Sequence, residues 1–220
     1  MTVLHAPAGR LSVLVGAALT LSLSACGGGS DGDGTDADAD RGSEVTTHDG
    51  TGTDDTQGGC LDEESNSAAE AHHVDPGTTM DYTGVPPVSG KHWGQWPDLD
   101  KTLYVADERP ELGELVHSQE HGWTMVWYDE SIADDDAARA NLEDVAAQLD
   151  DADLTKVVIV PWTSDDGDAF PDDTHVAFTH WGNDDDGTEW RQFCVEPNVD
   201  AIVAFSGRHP SSESNEPDSP

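Results

Sequence analysis

The sequence predicts an α+β fold: a single small domain with a mixed or antiparallel sheet of about four strands and two helices, preceded by a disordered tether. Three observations carry this expectation. Apolar residues gather between positions 76 and 209, in stretches with strand or helix periodicity. The stretch from Cys26 to Asp75 is dominated by Gly, Asp, Thr and Ser and holds little that is apolar. The patterned part amounts to roughly 130 residues, enough for one domain with one core.

Residues 1–25 read as an export signal. Arg10 is a lone basic side chain ahead of an apolar run from Leu11 to Leu23, and small residues lead into Cys26. A basic edge, a short apolar core and a small-residue cleavage point mark a secretory segment. The run is shorter than the about 20 residues a helix needs to cross a bilayer. The ending Leu23-Ser24-Ala25-Cys26 is similar to a bacterial lipobox, in which the cysteine is lipidated. Cys26 is therefore the expected anchor, and the extracytoplasmic face of the cell membrane the expected location.

Residues 26–75 read as the tether, because they offer little apolar surface to offset the entropy of ordering a backbone. A tether of about 30 to 50 such residues holds a domain several nanometres from the membrane. The polar segment 210–220 is expected to fray. The globular domain is assigned to residues 76–209.

Thr83–Trp96 holds Pro86-Pro87, Gly90, Gly94, Trp93 and Trp96, and reads as an ordered loop. Trp123–Tyr128 is rich in β-formers and reads as a strand. From Asp134 to Leu149 the apolar residues Ala138, Leu142, Val145, Ala146 and Leu149 fall at helical spacing. Acids at the start of that helix favour the positive end of its dipole. Lys156–Pro161 is a continuous apolar run, read as a central strand, and His175–Trp181 alternates. Trp190–Val195 reads as a short strand, and Pro197–Phe205 as a closing helix with Gly207 after it. Helices packed on one sheet follow from this order.

The net charge is -37, with lysine only at Lys91, Lys101 and Lys156. Such a surface repels phosphate backbones, which excludes nucleic acid as a partner. The acids lie in tether, loops and helix faces alike, a distribution that suits solvation at high salt better than one cation-binding patch. With Cys26 lipidated, Cys60 and Cys194 remain. Outside the cytoplasm they are expected to form a disulfide, worth on the order of 4 kcal/mol for so long a loop.

Ten histidines are present, of which His92, His117, His121, His175 and His180 fall within the assigned domain and His209 at its last position, where the tail begins. His48, His72 and His73 sit in or beside the tether. The distinctive stretch is Leu115–Gly122, where His117 and His121 are four apart with Glu120 between them. On a helical turn both imidazoles leave one face and can share a metal ion. Glu120 can ligate or act as a base, and the Pro-rich loop can present His92. The candidate metal ligands are therefore His92, His117, His121 and Glu120, with zinc or copper as the ion. The literal His-x-x-Glu-His spelling matches a metalloprotease signature, but that motif needs a long helix and Gly122 follows at once. His175 and His180 face opposite sides of a strand. His180 and Met125 are weaker candidates as extra ligands, each better explained by core or surface packing. The same histidines can instead only hydrogen-bond main-chain carbonyls.

The Pro86-Pro87-Val88-Ser89-Gly90-Lys91-His92 loop and the Glu114–Gly122 stretch together resemble the family catalogued as domain of unknown function 3105. Val158–Pro161 and Thr179–Gly182 are similar to it as well, so the likeness runs from about Tyr82 to His209. Val88 and Lys91 stand where the family tends to have Thr and Pro, and Ser118-Gln119 where it tends to have Asn-Leu. The resemblance implies that His92, His117, Glu120 and His121 belong to the family signature, and that members are bacterial exported or membrane-anchored proteins. It assigns no activity. Three functions remain open on the residues alone: a metal-binding module, a metal-dependent envelope hydrolase using Glu120 as base, and a non-catalytic structural or partner-binding lipoprotein.

Overall fold

Backbone pairing and the burial of continuous apolar runs organise the chain. The structure, a computed structural model, describes residues 59–152, 154–171, 173–184 and 187–220. The segment read as an export signal, Cys26 and the part of the expected tether up to residue 58 lie outside these. Among the described residues the order is β1 (Glu64–Ser67), β2 (His72–Val74), β3 (Lys91–Trp93), α1 (Leu112–Glu120), β4 (Thr124–Tyr128) and α2 (Glu130–Asp134). Then come α3 (Asp136–Asp151), β5 (Val157–Pro161), β6 (Val176–Gly182), β7 (Thr188–Cys194), α4 (Val199–Arg208) and a 3-10 turn at Ser211–Glu213.

The fold is α+β, with a mixed five-stranded sheet in the order β1-β7-β6-β4-β5. Its pairs are antiparallel except β4 with β5, whose parallel pairing is bridged by α2 and α3. A parallel pair requires such a crossover. A separate ribbon pairs β2 and β3 in parallel.

Strands β4, β5 and β6 are buried along their whole length, so both faces of the sheet are covered. On one face Val126, Ile159, Val176 and Phe178 pack with Leu142, Val145 and Leu149 of α3 and with Ile202 and Phe205 of α4. On the other, Met125, Trp127, Val158 and Val160 pack with Leu115 of α1 and with Tyr104 and Trp162. The helices therefore pack on one sheet as expected, and they do so on both of its faces. The uninterrupted apolar run of β5 is the sequence sign of that double coverage.

Helix α3 begins on Asp135, whose carboxylate accepts from the amides of Ala137 and Ala138. Helix α4 is capped by Asn198, begins two residues later than expected and runs to Arg208, through Gly207. Helix α1 is nine residues long, where only a turn was expected. Glu114 closes its first turn by accepting from the Glu111 amide at 3.1 Å. Gly122, at φ +88, ends the reversal into β4, and a Cβ there would meet the Ser211 carbonyl oxygen at 2.6 Å.

Two boundaries differ from expectation. Strands β1 and β2 lie inside the stretch read as tether, and the fold is engaged from residue 59 onward. Cys60 is disulfide-bonded to Cys194, and the Leu61 amide donates to the Phe193 carbonyl at 2.8 Å. All four side chains of β1 are exposed, so main-chain pairing rather than apolar burial holds it. At the other end, the segment expected to fray packs across the molecule. The Glu216 amide donates to the Glu120 carbonyl at 3.0 Å, and Asn183 donates to the Glu213 carbonyl at 2.7 Å. Lys156 Nζ donates to the carbonyl oxygens of His121, Pro217 and Ser219. Again the contacts are to backbone, which leaves no apolar pattern to read. Among the described residues no helix is long and apolar enough to cross a membrane.

Candidate metal centre

The loop before β3 is ordered as its prolines and glycines imply. Val88 packs with Val116 of α1 and with Trp181, which fixes the loop against the helix. Close approach of α1 depends on Gly113, where a Cβ would meet Met80 at 2.5 Å and Trp93 at 3.0 Å. The result places His92 of β3 beside His117 and Glu120, which lie three apart on one face of α1.

Both histidines are buried and each has one nitrogen tied down. His92 Nδ1 lies 2.8 Å from the Gly90 carbonyl and His117 Nδ1 lies 2.7 Å from the Trp93 carbonyl. A carbonyl only accepts, so the proton is assigned to Nδ1 in each ring. Each Nε2 then presents a lone pair. Pairing to main-chain carbonyls and binding a metal are thus compatible: the first selects the tautomer that the second needs.

Glu120 Oε2 stands 3.0 Å from His92 Nε2 and 3.6 Å from His73 Nε2. Nitrogen and oxygen donors of His73, His92, His117 and Glu120 all lie within 4.8 Å of one another. Ring centroids of the three histidines are 4.7 to 4.8 Å apart. His92 Nε2 and Glu120 Oε2 are both buried without a hydrogen bond, despite their short separation. Buried polar atoms left so cost about 1–3 kcal/mol each, and a cation between two acceptors removes that cost.

Burial pushes the His117 imidazole below its ordinary pKa; the Trp93 carbonyl opposes this, while His92, His121 and His73 reinforce it. Burial alone would raise the Glu120 carboxyl. Contact with His92 and the charges that His92, His117 and His73 carry when protonated outweigh it and hold the group below its ordinary value. Neutral imidazole and ionised carboxylate are the ligating forms.

His121, expected among the ligands, is not in this group. It caps α1, with Nδ1 at 3.0 Å from the Pro220 main-chain oxygen and Nε2 at 3.4 Å from Glu216. Its ring rests against His117 at 4.6 Å, but both its nitrogens face the C-terminal segment. His73 of β2 takes the place expected for it. The main clue to His73 in the sequence is weak: it sits in a short His72-His73-Val74 run within a polar stretch.

The remaining histidines are elsewhere. His175 pairs with Asp129 at 2.9 Å, near the start of α2. His180 is buried on β6, with Nδ1 at 3.1 Å from Thr124 Oγ1. Burial, and then the neighbouring His209, bring its pKa down to about 4. Met125 lies in the core beneath α1, away from the four donors. The metalloprotease spelling does not become a metalloprotease geometry, because α1 stops at Glu120.

No curated protein and no solved structure is detectably similar to this chain. A family model described as protein of unknown function (DUF3105) matches residues 73–215. That span starts at His73 and includes α1, the sheet from β4 to β7 and the start of the C-terminal segment. With the four donors and their supporting strands inside the matched span, the chain belongs to the DUF3105 family of proteins of unknown function.

Proposed function

We propose that this protein is a lipid-anchored, extracytoplasmic module that binds one divalent transition-metal ion through His73, His92, His117 and Glu120. The observation that carries this reading is the convergence of four donors, two of them imidazoles already held in the ligating tautomer. Three nitrogens and one carboxylate oxygen suit zinc or copper(II), whereas copper(I) favours sulfur donors.

Binding is better supported than hydrolysis. Glu120 faces His92 and is engaged as a donor, so it is not free to act as a base. A cavity of about 640 Å3 does lie beside the ribbon, lined by His72, Lys91, Tyr82 and Ser89 among others. His72 and Lys91 alternate with His73 and His92 along β2 and β3, so this cavity is on the opposite face of the ribbon from the donors, while a second, of about 710 Å3, reaches the donors at His73 beside Asp75 and Gln95. A location outside the cytoplasm is supported by the Cys26 lipobox and by the Cys60–Cys194 bond.

The test is calorimetric titration of the full chain with zinc and with copper(II), beside a His92→Ala/His117→Ala variant and His121→Ala. One ion per wild-type chain is expected, lost in the double variant and retained in His121→Ala. Equal affinity in the wild type and the double variant would sink the reading.

A further inference from the structure

The four donors differ in how firmly they are held. The side chain of His92 is 0 % exposed and that of Glu120 is 8 %, while that of His73 is 53 % exposed. Carbonyls fix His92 and His117 through Nδ1, whereas among the described residues no hydrogen bond holds the His73 ring. The strands behind them differ too. His117 and Glu120 ride on α1, packed into the sheet through Leu115. His73 rides on β2, which among the described residues pairs only with β3 and leaves both His72 and His73 exposed. On the α1 side, Trp96 sets its ring 5.3 Å from His117 and 5.1 Å from His121 and covers that approach.

We infer that His73 is the exchangeable ligand of the centre, the position at which the ion is taken up from, and handed to, an incoming donor. This rests on the metal-binding reading above. His92, His117 and Glu120 form a buried three-donor floor that keeps the ion while exchange proceeds. Exchange starts at His73, where the bond from the ion to Nε2 breaks as a bond to the incoming nitrogen, sulfur or oxygen donor forms, and release follows as further donors of the acceptor replace His117, His92 and Glu120 one at a time. The imidazole leaves neutral and the oxidation state of the ion does not change. The class of partner is therefore a chelating acceptor, a protein site or small molecule that brings its first donor to the exposed His73 edge and supplies the further donors that displace the buried ones.

The experiment loads the full chain with zinc and follows transfer to the chromophoric chelator 4-(2-pyridylazo)resorcinol, in high salt with excess magnesium to occupy surface carboxylates. Wild type should transfer at a rate first-order in chelator. His73→Ala should still bind one zinc, roughly 10- to 100-fold more weakly, and should transfer at least several-fold faster because water replaces a protein ligand. His92→Ala should retain no stable zinc. Unchanged affinity and rate in His73→Ala would overturn the inference, as would complete loss of zinc from it, since either result removes the distinction between floor and exchangeable donor. A transfer rate independent of chelator would overturn it too, by showing that the ion leaves before the acceptor engages. A wild type that binds no zinc fails the metal-binding reading itself, a separate result.

Discussion

His92 Nε2 and Glu120 Oε2 face each other at 3.0 Å, both buried, with no hydrogen bond between them. The Gly90 carbonyl claims the His92 proton on the other nitrogen, so a lone pair meets a carboxylate. A metal ion resolves that contact. So does a single amide hydrogen. Glu120→Gln should therefore weaken zinc binding about 10- to 100-fold. The same variant should raise apo stability by about 1 kcal/mol, because its amide can donate to His92. Calorimetry and thermal melts measure the two effects. A fall in apo stability would mean that His92 is protonated and that the pair is a buried salt bridge.

His180 sets a pH dependence of its own. Its pKa is lowered to about 4 from 6.5, chiefly by burial. Between those values the folded chain binds fewer protons than the unfolded chain, so stability rises with pH. The contribution is complete above about 6.5 and is lost as pH falls towards 4, on the order of 3 kcal/mol in all. His180→Gln should flatten that part of the stability–pH curve, measured by urea unfolding at several pH values. The slope is the readout, because surface carboxylates titrate equally in both proteins. Parallel curves would show that His180 does not titrate there.

The Cys60–Cys194 bond anchors an edge strand whose side chains are all exposed. Reduction should lower stability by about 2–4 kcal/mol. It should also release β1 first, seen as faster hydrogen exchange at the Leu61 amide, which donates to Phe193. Unchanged exchange at Leu61 after reduction would show that main-chain pairing alone suffices.

A chain of net charge -37 repels itself most when compact. The Debye length falls from about 30 Å at 0.01 M salt to about 3 Å at 1 M. The melting temperature should accordingly climb with potassium chloride. A flat curve would indicate that the acids are already compensated.

The proposed lipid anchor is Cys26. Cys26→Ala should move the protein from the membrane fraction to the soluble fraction, read by fractionation and immunoblot. Retention in the membrane would place the anchor elsewhere.

Side-chain chemistry was legible in the sequence wherever it acts through burial or local spacing. The period of Leu142, Val145 and Leu149 specified α3, and the apolar run of Val157–Pro161 specified a central strand. His117 and Glu120 share a face because helical geometry puts positions three apart together, and the prolines of the loop made His92 a candidate beside them. Only the tertiary structure decided between His73 and His121 as the fourth donor. His73 arrives on a strand held by main-chain bonds to β3, while His121 is drawn to the C-terminal segment by Glu216 and the Pro220 backbone. Main-chain hydrogen bonds are available to every residue except proline's missing N–H, so polar segments that join a fold through them carry no apolar signature. That is why β1, β2 and the C-terminal segment read as solvent-borne chain, yet build the open edge of the centre and the contact that turns His121 away from it.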